Sequence, residues 1–451
     1  MSATAAPHAV FSHTVERGED GALSVGGVDV RELAGQYGTP LYVIDEQDMR
    51  DRACAFRDQF ATAFGRHGAE VDVYYASKAF LSSKVARWMR ADDLCMDVAS
   101  GGELEIALRG GMPAARLGLH GNNKSDAELR RALEVGVGRI IVDSFTEIET
   151  LDAIAREMGT VAPVLVRVTT GIHAGGHEYI ATSHEDQKFG LSLASGAAFE
   201  ALLECHDAEG IDLRGIHTHI GSQILSLAAF QESAERMLGL RASFLMEAGL
   251  ELPEVDLGGG YAIQYTPHGE ALSPHDAAYG MADAVAAALA KVGGSWPHFS
   301  IEPGRAIAGP AGMTLYRVGV VKHVALDDGG ERQYVAVDGG MSDNMRTITY
   351  GAEYTATVAS RLSDAEPALS RVVGKHCESG DIVVRDVELP HDIARGDLLA
   401  VPATGAYGRV MAHNYNALLR PAVVSVRDGE STVHIRRDTL EDLFAWDVAP
   451  D

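Results

Sequence analysis

Basic residues are scarce in this sequence. Lys and Arg number 38 against 64 Asp and Glu in 451 residues, a formal net charge of −26. Nucleic acids and anionic membrane surfaces are held through a basic footprint, so neither is an expected partner. A locally basic pocket for a small anion stays open. Cysteine is rarer still: Cys54, Cys95, Cys205 and Cys377 are scattered, with no C-x-x-C pair and no metal-ligand spacing. That pattern argues against a disulfide framework or a metal site and fits a reducing cytoplasm. No apolar run approaches the length of a membrane span. The opening MSATAAPHAV has neither the basic region nor the apolar core of a signal peptide. The expectation is a soluble cytoplasmic protein.

The composition that is present, 46% hydrophobic and 23% charged, is globular. At this length two domains are expected. From about residue 45 to 310, short β-rich apolar runs alternate with helical patterns. The runs are Val71–Lys78, Leu94–Ser100, Leu117–Gly121, Arg139–Ser144, Val164–Val168, Gly215–Ile220, Val255–Gly258 and Phe299–Glu302. Helical stretches such as Leu81–Arg90, Phe145–Met158 and Ala228–Ala248 fill the gaps. Continuous apolar strands that alternate with helices form parallel sheets, and eight such units point to a TIM-like (β/α)₈ barrel of the α/β class.

Ser125-Asp-Ala-Glu128, Ser144-Phe-Thr-Glu147 and Ser100-Gly-Gly-Glu103 read as capping boxes at helix starts. After residue 310 the texture changes to short β segments: Thr314–Val324, Gln333–Val337, Ile382–Val387, Leu398–Pro402 and Val433–Arg436. The chain before residue 45 also reads as strand and turn, at Ala22–Val30 and Leu41–Ile44. The expected division is therefore a barrel over 45–310 and an all-β domain built from 1–44 plus 311–451.

Active sites of such barrels lie at the C-terminal strand ends. Those ends carry Lys78, Asp97, His120, Asp143, Arg167, His219, Gly258–Gly260 and Glu302. Lys78 is either a rim lysine in solvent or a partly desolvated amine able to form a Schiff base. The turn Gly258-Gly259-Gly260 is either a plain tight turn or a nest of backbone amides for a phosphate, and its spacing is not that of a dinucleotide fingerprint. Glu302-Pro303-Gly304-Arg305 is a rim ion pair or an acid beside an anion-binding arginine. His219 and Ser222, in HIGS, are core-satisfied groups or donors facing the mouth.

Taken together, YYASK at Lys78, MDVASGGELE at Asp97, HGNNKS at His120, HIGSQI at His219, LGGG at Gly258 and EPGR at Glu302 form an ordered set. In the C-terminal part follow SDNMR at Arg346 with Tyr350, HCESGD at Cys377 and GAYG at Tyr407. In this order the chain resembles the fold-type III pyridoxal-phosphate decarboxylases, the alanine-racemase-like barrel family, over nearly its whole length.

The resemblance implies pyridoxal 5'-phosphate bound through Lys78. It implies His219 on the ring face, Glu302 at the ring nitrogen, and Asp97 and Pro303-Gly304 among the cofactor-binding residues. Ser222, Gly258, Gly259, Gly260, Arg305 and Tyr407 would surround the phosphate. Arg305, Arg346, Tyr350, Glu378 and Tyr407 match substrate positions, and Cys377 matches the residue that returns a proton after carbon dioxide leaves. Cys377 and Glu378 would cross a dimer interface, which implies a homodimer with shared sites.

A substrate with both an amine and a carboxylate at its far end suits the opposite-sign pair Arg346 and Glu378. The implied reaction is decarboxylation of meso-2,6-diaminopimelate to L-lysine at the D-configured centre. Same-fold decarboxylation of ornithine, arginine or carboxynorspermidine is the alternative. An amino-acid racemase would need a second base and a less acidic ring-nitrogen partner than Glu302. A cofactor-free binding protein would not need Lys78, EPGR and Cys377. One departure stands out: Arg346-Thr-Ile-Thr-Tyr350 lacks the proline and small apolar residues usual in the family at this point.

Overall fold

The computed structural model describes residues 9–172 and 188–448. It divides into two compact units. One comprises Arg52–Ala262 and Glu270–Ala306; the other comprises the chain up to Asp51, Ile263–Gly269 and the chain from Ile307.

The first unit is an eight-stranded parallel barrel. Its strands are β1 (Val71–Ala76), β2 (Cys95–Val98), β3 (Leu117–Leu119), β4 (Arg139–Val142), β5 (Ala162–Thr169), β6 (Ile211–His217), β7 (Glu254–Asp256) and β8 (His298–Ile301). They pair in chain order, and β8 returns to β1, closing the ring. Every residue of β2, β3 and β7 is buried, the burial expected of strands covered on both faces.

Helix starts fix where each strand must end. Ser100, Ser125, Ser144 and Ser273 each accept a hydrogen bond from the backbone N–H three residues on. Of these four, Ser125–Glu128 alone closes as a reciprocal box. Glu103 and Glu147 instead accept from Ala99 N (2.7 Å) and Asp143 N (3.0 Å), one residue further back. Both carboxylates thus tie the helix to the preceding strand end, which corrects the capping-box expectation at those two sites. At the opposite, N-terminal end of the barrel, Arg139 forks onto Glu254 and His298 meets Asp72 at 2.9 Å.

The second unit is β-rich. Leu41–Asp45 pairs antiparallel with Gly312–Ala325 and parallel with Ala422–Arg427, so an N-terminal strand sits inside a C-terminal sheet. The expected Ala22–Val30 run breaks at Gly26-Gly27 into two strands of a separate three-stranded sheet with Glu16–Arg17. Leu23, Leu41, Val43, Leu315 and Val424 share one core, and Tyr316, Val335, Val372 and Val401 share another. The segment Ile263–Gly269 lies inside the expected barrel range but groups with this unit, where the Tyr265 ring meets Tyr354 edge-on at 5.2 Å. No described helix is long and apolar enough to cross a membrane.

Candidate active site

The C-terminal strand ends of the barrel open into a cavity of about 650 Å³ of atom-free space, counting its mouth. Lys78, Asp97, His120, Arg167, His219 and Glu302, six residues expected from the strand ends, line it. Lys78 stands one turn beyond β1 and is exposed on its own chain. Asp143 is not on the wall; it sits 3.8 Å behind Arg167 and accepts from Gly190 N at 2.6 Å. Arg167 also stacks its guanidinium 4.4 Å from the Phe189 ring centroid.

Glu302 occupies the floor at 5% exposure, among three imidazoles. Its Oε1 lies 2.8 Å from His217 Nε2 and 3.3 Å from His120 Nε2, and its Oε2 lies 4.0 Å from His219 Nδ1. Burial alone would raise this carboxyl. His217, His120 and His219 outweigh that and hold it below the usual carboxylate range. Asp97 goes the other way, pushed well above its usual value by burial and then by the charge on Glu302. Burial holds His120 and His219 below the ordinary histidine value. Glu302 and Asp97 are thus pushed in opposite directions, Glu302 toward the ionised form and Asp97 toward the protonated one.

Its polar atoms are not all used. His217 Nδ1 is buried with no hydrogen-bond partner among the described residues. His120, His217 and Glu302 also offer three metal-ligand atoms within 4.8 Å of one another. The exposed trio His323, Glu331 and His391 does the same in the β unit.

Beyond β7 the glycine turn adopts a conformation that side chains would block. Gly258 has φ 69°, and a Cβ there would lie 2.2 Å from the Thr218 carbonyl oxygen. Gly259 N–H donates to His219 Nδ1 at 3.2 Å, which fixes the ring orientation. Arg305 Nη2 donates to Ser222 Oγ at 2.7 Å, joining the EPGR and HIGS turns. Gly304 packs against β1, where an added Cβ would sit 2.8 Å from Ala76 Cβ.

The remaining expected residues belong to the β unit. Arg346 opens the short helix Arg346–Tyr350 and is 6% exposed. Its guanidinium carbon lies 4.9 Å from the Tyr265 ring centroid, 5.7 Å from Tyr354 and 5.9 Å from Tyr407. Nη1 donates to Tyr354 Oη at 2.5 Å. Burial alone would lower its pKa, but the phenols of Tyr354 and Tyr265 outweigh that and raise it. No carboxylate of the described residues lies within ion-pair distance of it. Tyr350 ends the same helix, half-buried. Cys377 and Glu378 are exposed on a loop; Cys377 N–H donates to Asn416 Oδ1 at 3.0 Å.

Reading by strand ends missed His217, Tyr265 and Tyr354. His217 ends β6 two residues before His219, a spacing that puts both on one side of an extended backbone. The HTH triplet was therefore a usable signal. Tyr265 and Tyr354 carry no such mark, because only the fold brings them to Arg346.

A family profile described as "Pyridoxal-dependent decarboxylase, pyridoxal binding domain" matches residues 47–309. The chain is similar to a diaminopimelate decarboxylase of Corynebacterium efficiens, at 49% identity over 98% of this chain and 95% of the relative. It is 43% identical to a diaminopimelate decarboxylase of Bacillus subtilis, over 97% of this chain and 98% of that one. Among solved structures, a diaminopimelate decarboxylase from M. jannaschii in co-complex with L-lysine superposes with a TM-score of 0.88. That structure shares 31% identity over 97% of this chain and 98% of its own.

Proposed function

Because the chain belongs to the pyridoxal-dependent decarboxylases, we propose that it removes carbon dioxide from meso-2,6-diaminopimelate and leaves L-lysine. The cofactor is pyridoxal 5'-phosphate. When bound, it supplies an electron sink for the pair left behind as carbon dioxide departs.

The barrel residues suit such a group. Lys78 offers an amine at the cavity mouth, and Glu302 presents an ionised carboxylate on the floor for a protonated ring nitrogen. Asp97 backs the same floor, and His219 would lie against the cofactor ring. The turn Gly258–Gly260, together with Ser222, Pro303-Gly304-Arg305 and Tyr407, holds the phosphate end. Arg305 and Tyr407 also reach the substrate.

The observation that carries the substrate is Arg346. A buried guanidinium caged by tyrosines, with no described carboxylate within ion-pair distance, suits an anionic group of the substrate. The far carboxylate of diaminopimelate supplies that charge; ornithine has none to give. Glu378 takes the far ammonium and Tyr350 adds a hydroxyl. Cys377 gives the α-carbon its proton once the carbon–carboxylate bond has broken.

Cys377 and Glu378 are exposed on their own protomer, and this supports a homodimer in which Cys377 of the partner subunit completes each site. The test is carbon dioxide and lysine release from the meso isomer, with ornithine and lysine as controls. Turnover of ornithine in place of the meso isomer would overturn the proposal.

A further inference from the structure

Two loops of the β unit carry the residues assigned to the far end of the substrate and to the returned proton. One, Gly339–Met345, leads into Arg346; the other, Gly374–Asp381, holds Cys377 and Glu378. Neither has a strand's ladder to set its conformation. A single carboxylate spans both. Asp381 is 3% exposed; its Oδ1 accepts Met341 N–H at 2.6 Å, and its Oδ2 accepts His376 N–H at 2.8 Å and faces His376 Nδ1 at 2.9 Å. Lys375 N–H donates to the Gly339 carbonyl at 3.0 Å, and Gly374 N–H to the Asp381 carbonyl at 3.0 Å, so the loops meet along the same seam.

Space around the carboxylate is fully committed. A Cβ on Gly374 would lie 2.2 Å from Asp381 Oδ2. His376 is buried with its ring parallel to Tyr415 at 5.8 Å. Cys377, its neighbour, is fixed from the other side by Asn416.

We propose that Asp381 is a positioning residue, a clasp that sets the register of the Cys377–Glu378 loop against the Arg346 loop. It touches neither cofactor nor substrate. The proposal rests on the roles assigned above to Cys377 and Arg346. Its physical basis is the count of acceptors. The carboxylate meets two backbone N–H groups, one from each loop, and the His376 ring nitrogen with its two oxygens, and both Asp381 and His376 are buried. Asparagine of the same shape offers one acceptor oxygen and an NH₂ group. Either Met341 or the His376 pair is then left facing another donor, and the loops lose their common anchor.

A double-mutant cycle on the cofactor-loaded enzyme tests this. Asp381→Asn is expected to keep the visible cofactor band and to lower kcat by about tenfold. On a Cys377→Ala background the same change costs less than about twofold, because the group it positions is already gone. Gly374→Ala, whose Cβ displaces the carboxylate, gives the same pattern. Equal factors on both backgrounds, with Cys377→Ala itself impaired, would overturn the clasp alone. An unimpaired Cys377→Ala would overturn the clasp and the role given to Cys377 together. Loss of the cofactor band in both Asp381→Asn and Gly374→Ala would make Asp381 a folding residue and also overturn it.

Discussion

The barrel and the β unit position their chemistry in opposite ways. In the barrel, each site residue stands at or just past the end of a strand whose neighbours on both sides fix it. Asp97, His120, His219 and Glu302 arrive at one cavity because eight parallel strands end at one face. In the β unit Arg346 and Tyr350 sit on one short helix, and the other assigned residues sit on loops and irregular backbone. Tyr407 and Asn416 hold positive φ of 59° and 54°, and Cys377 hangs from side-chain anchors. A ring-shaped cofactor with fixed dimensions suits the rigid frame; a flexible substrate and a proton donor suit loops held by a few buried polar groups.

Substitutions can break that comparison, beginning with the largest effect. Lys78→Ala is expected to abolish both the visible cofactor band and turnover. Cys377→Ala should keep the band and lower kcat by about 10² to 10⁴, the usual weight of a positioned proton donor. A Cys377→Ala protein without the band would erase the distinction between the two units.

Arg346→Met comes next. Removing one partner of a desolvated charge pair costs about 2–5 kcal/mol, so kcat/KM for the meso isomer should fall by about 30-fold or more. Ornithine, lacking the far carboxylate, should lose far less, and an equal loss on both would contradict the role of Arg346.

Stability sharpens the contrast further. Burial pushes the Asp343 carboxyl, in the loop before Arg346, up to about 7 from 3.8. Between those values the folded chain keeps a proton that the unfolded chain has released. Its contribution is fully present below 3.8 and is lost as pH rises through about 7. Asp343→Asn should flatten that decline in thermal melts taken from pH 5 to pH 8. A decline of equal slope in the variant would assign it elsewhere. The smallest change is Ser125→Ala. It removes a helix cap in the barrel at a cost of about 1 kcal/mol. Turnover should be unaltered, because the cap lies outside the cavity wall.

Much of the barrel was legible in the sequence because its signal is periodic. Continuous apolar runs recur eight times, serine caps and polar strand ends accompany many of them, and each repetition supports the others. Strand ends still fell one to three residues short of several runs. Val71–Lys78 stops as a strand at Ala76, because Ser77 and Lys78 have already turned into the loop. Glu103 read as a capping residue, and its anchor on Ala99 N is a variant of that role, although it also faces the cavity.

In the β unit the strands were legible and the supporting residues were not. Tyr265 and Tyr354 lie 81 and 8 residues from Arg346, a separation no local pattern encodes. Asp381 reads as an ordinary loop aspartate, since its partners are backbone amides 40 and 5 residues away. What the family motifs mark is the group that reacts; what holds it in place becomes visible only in three dimensions.

The central claim is that Lys78 anchors the cofactor at the barrel mouth, and one measurement addresses it directly. The pyridoxal-loaded enzyme is reduced with borohydride, which fixes a carbon–nitrogen double bond as a stable amine, and digested for peptide mapping by mass spectrometry. The account predicts a single pyridoxyl-modified peptide, with the added mass on Lys78. Modification of another lysine, or none while the enzyme remains active, would contradict it.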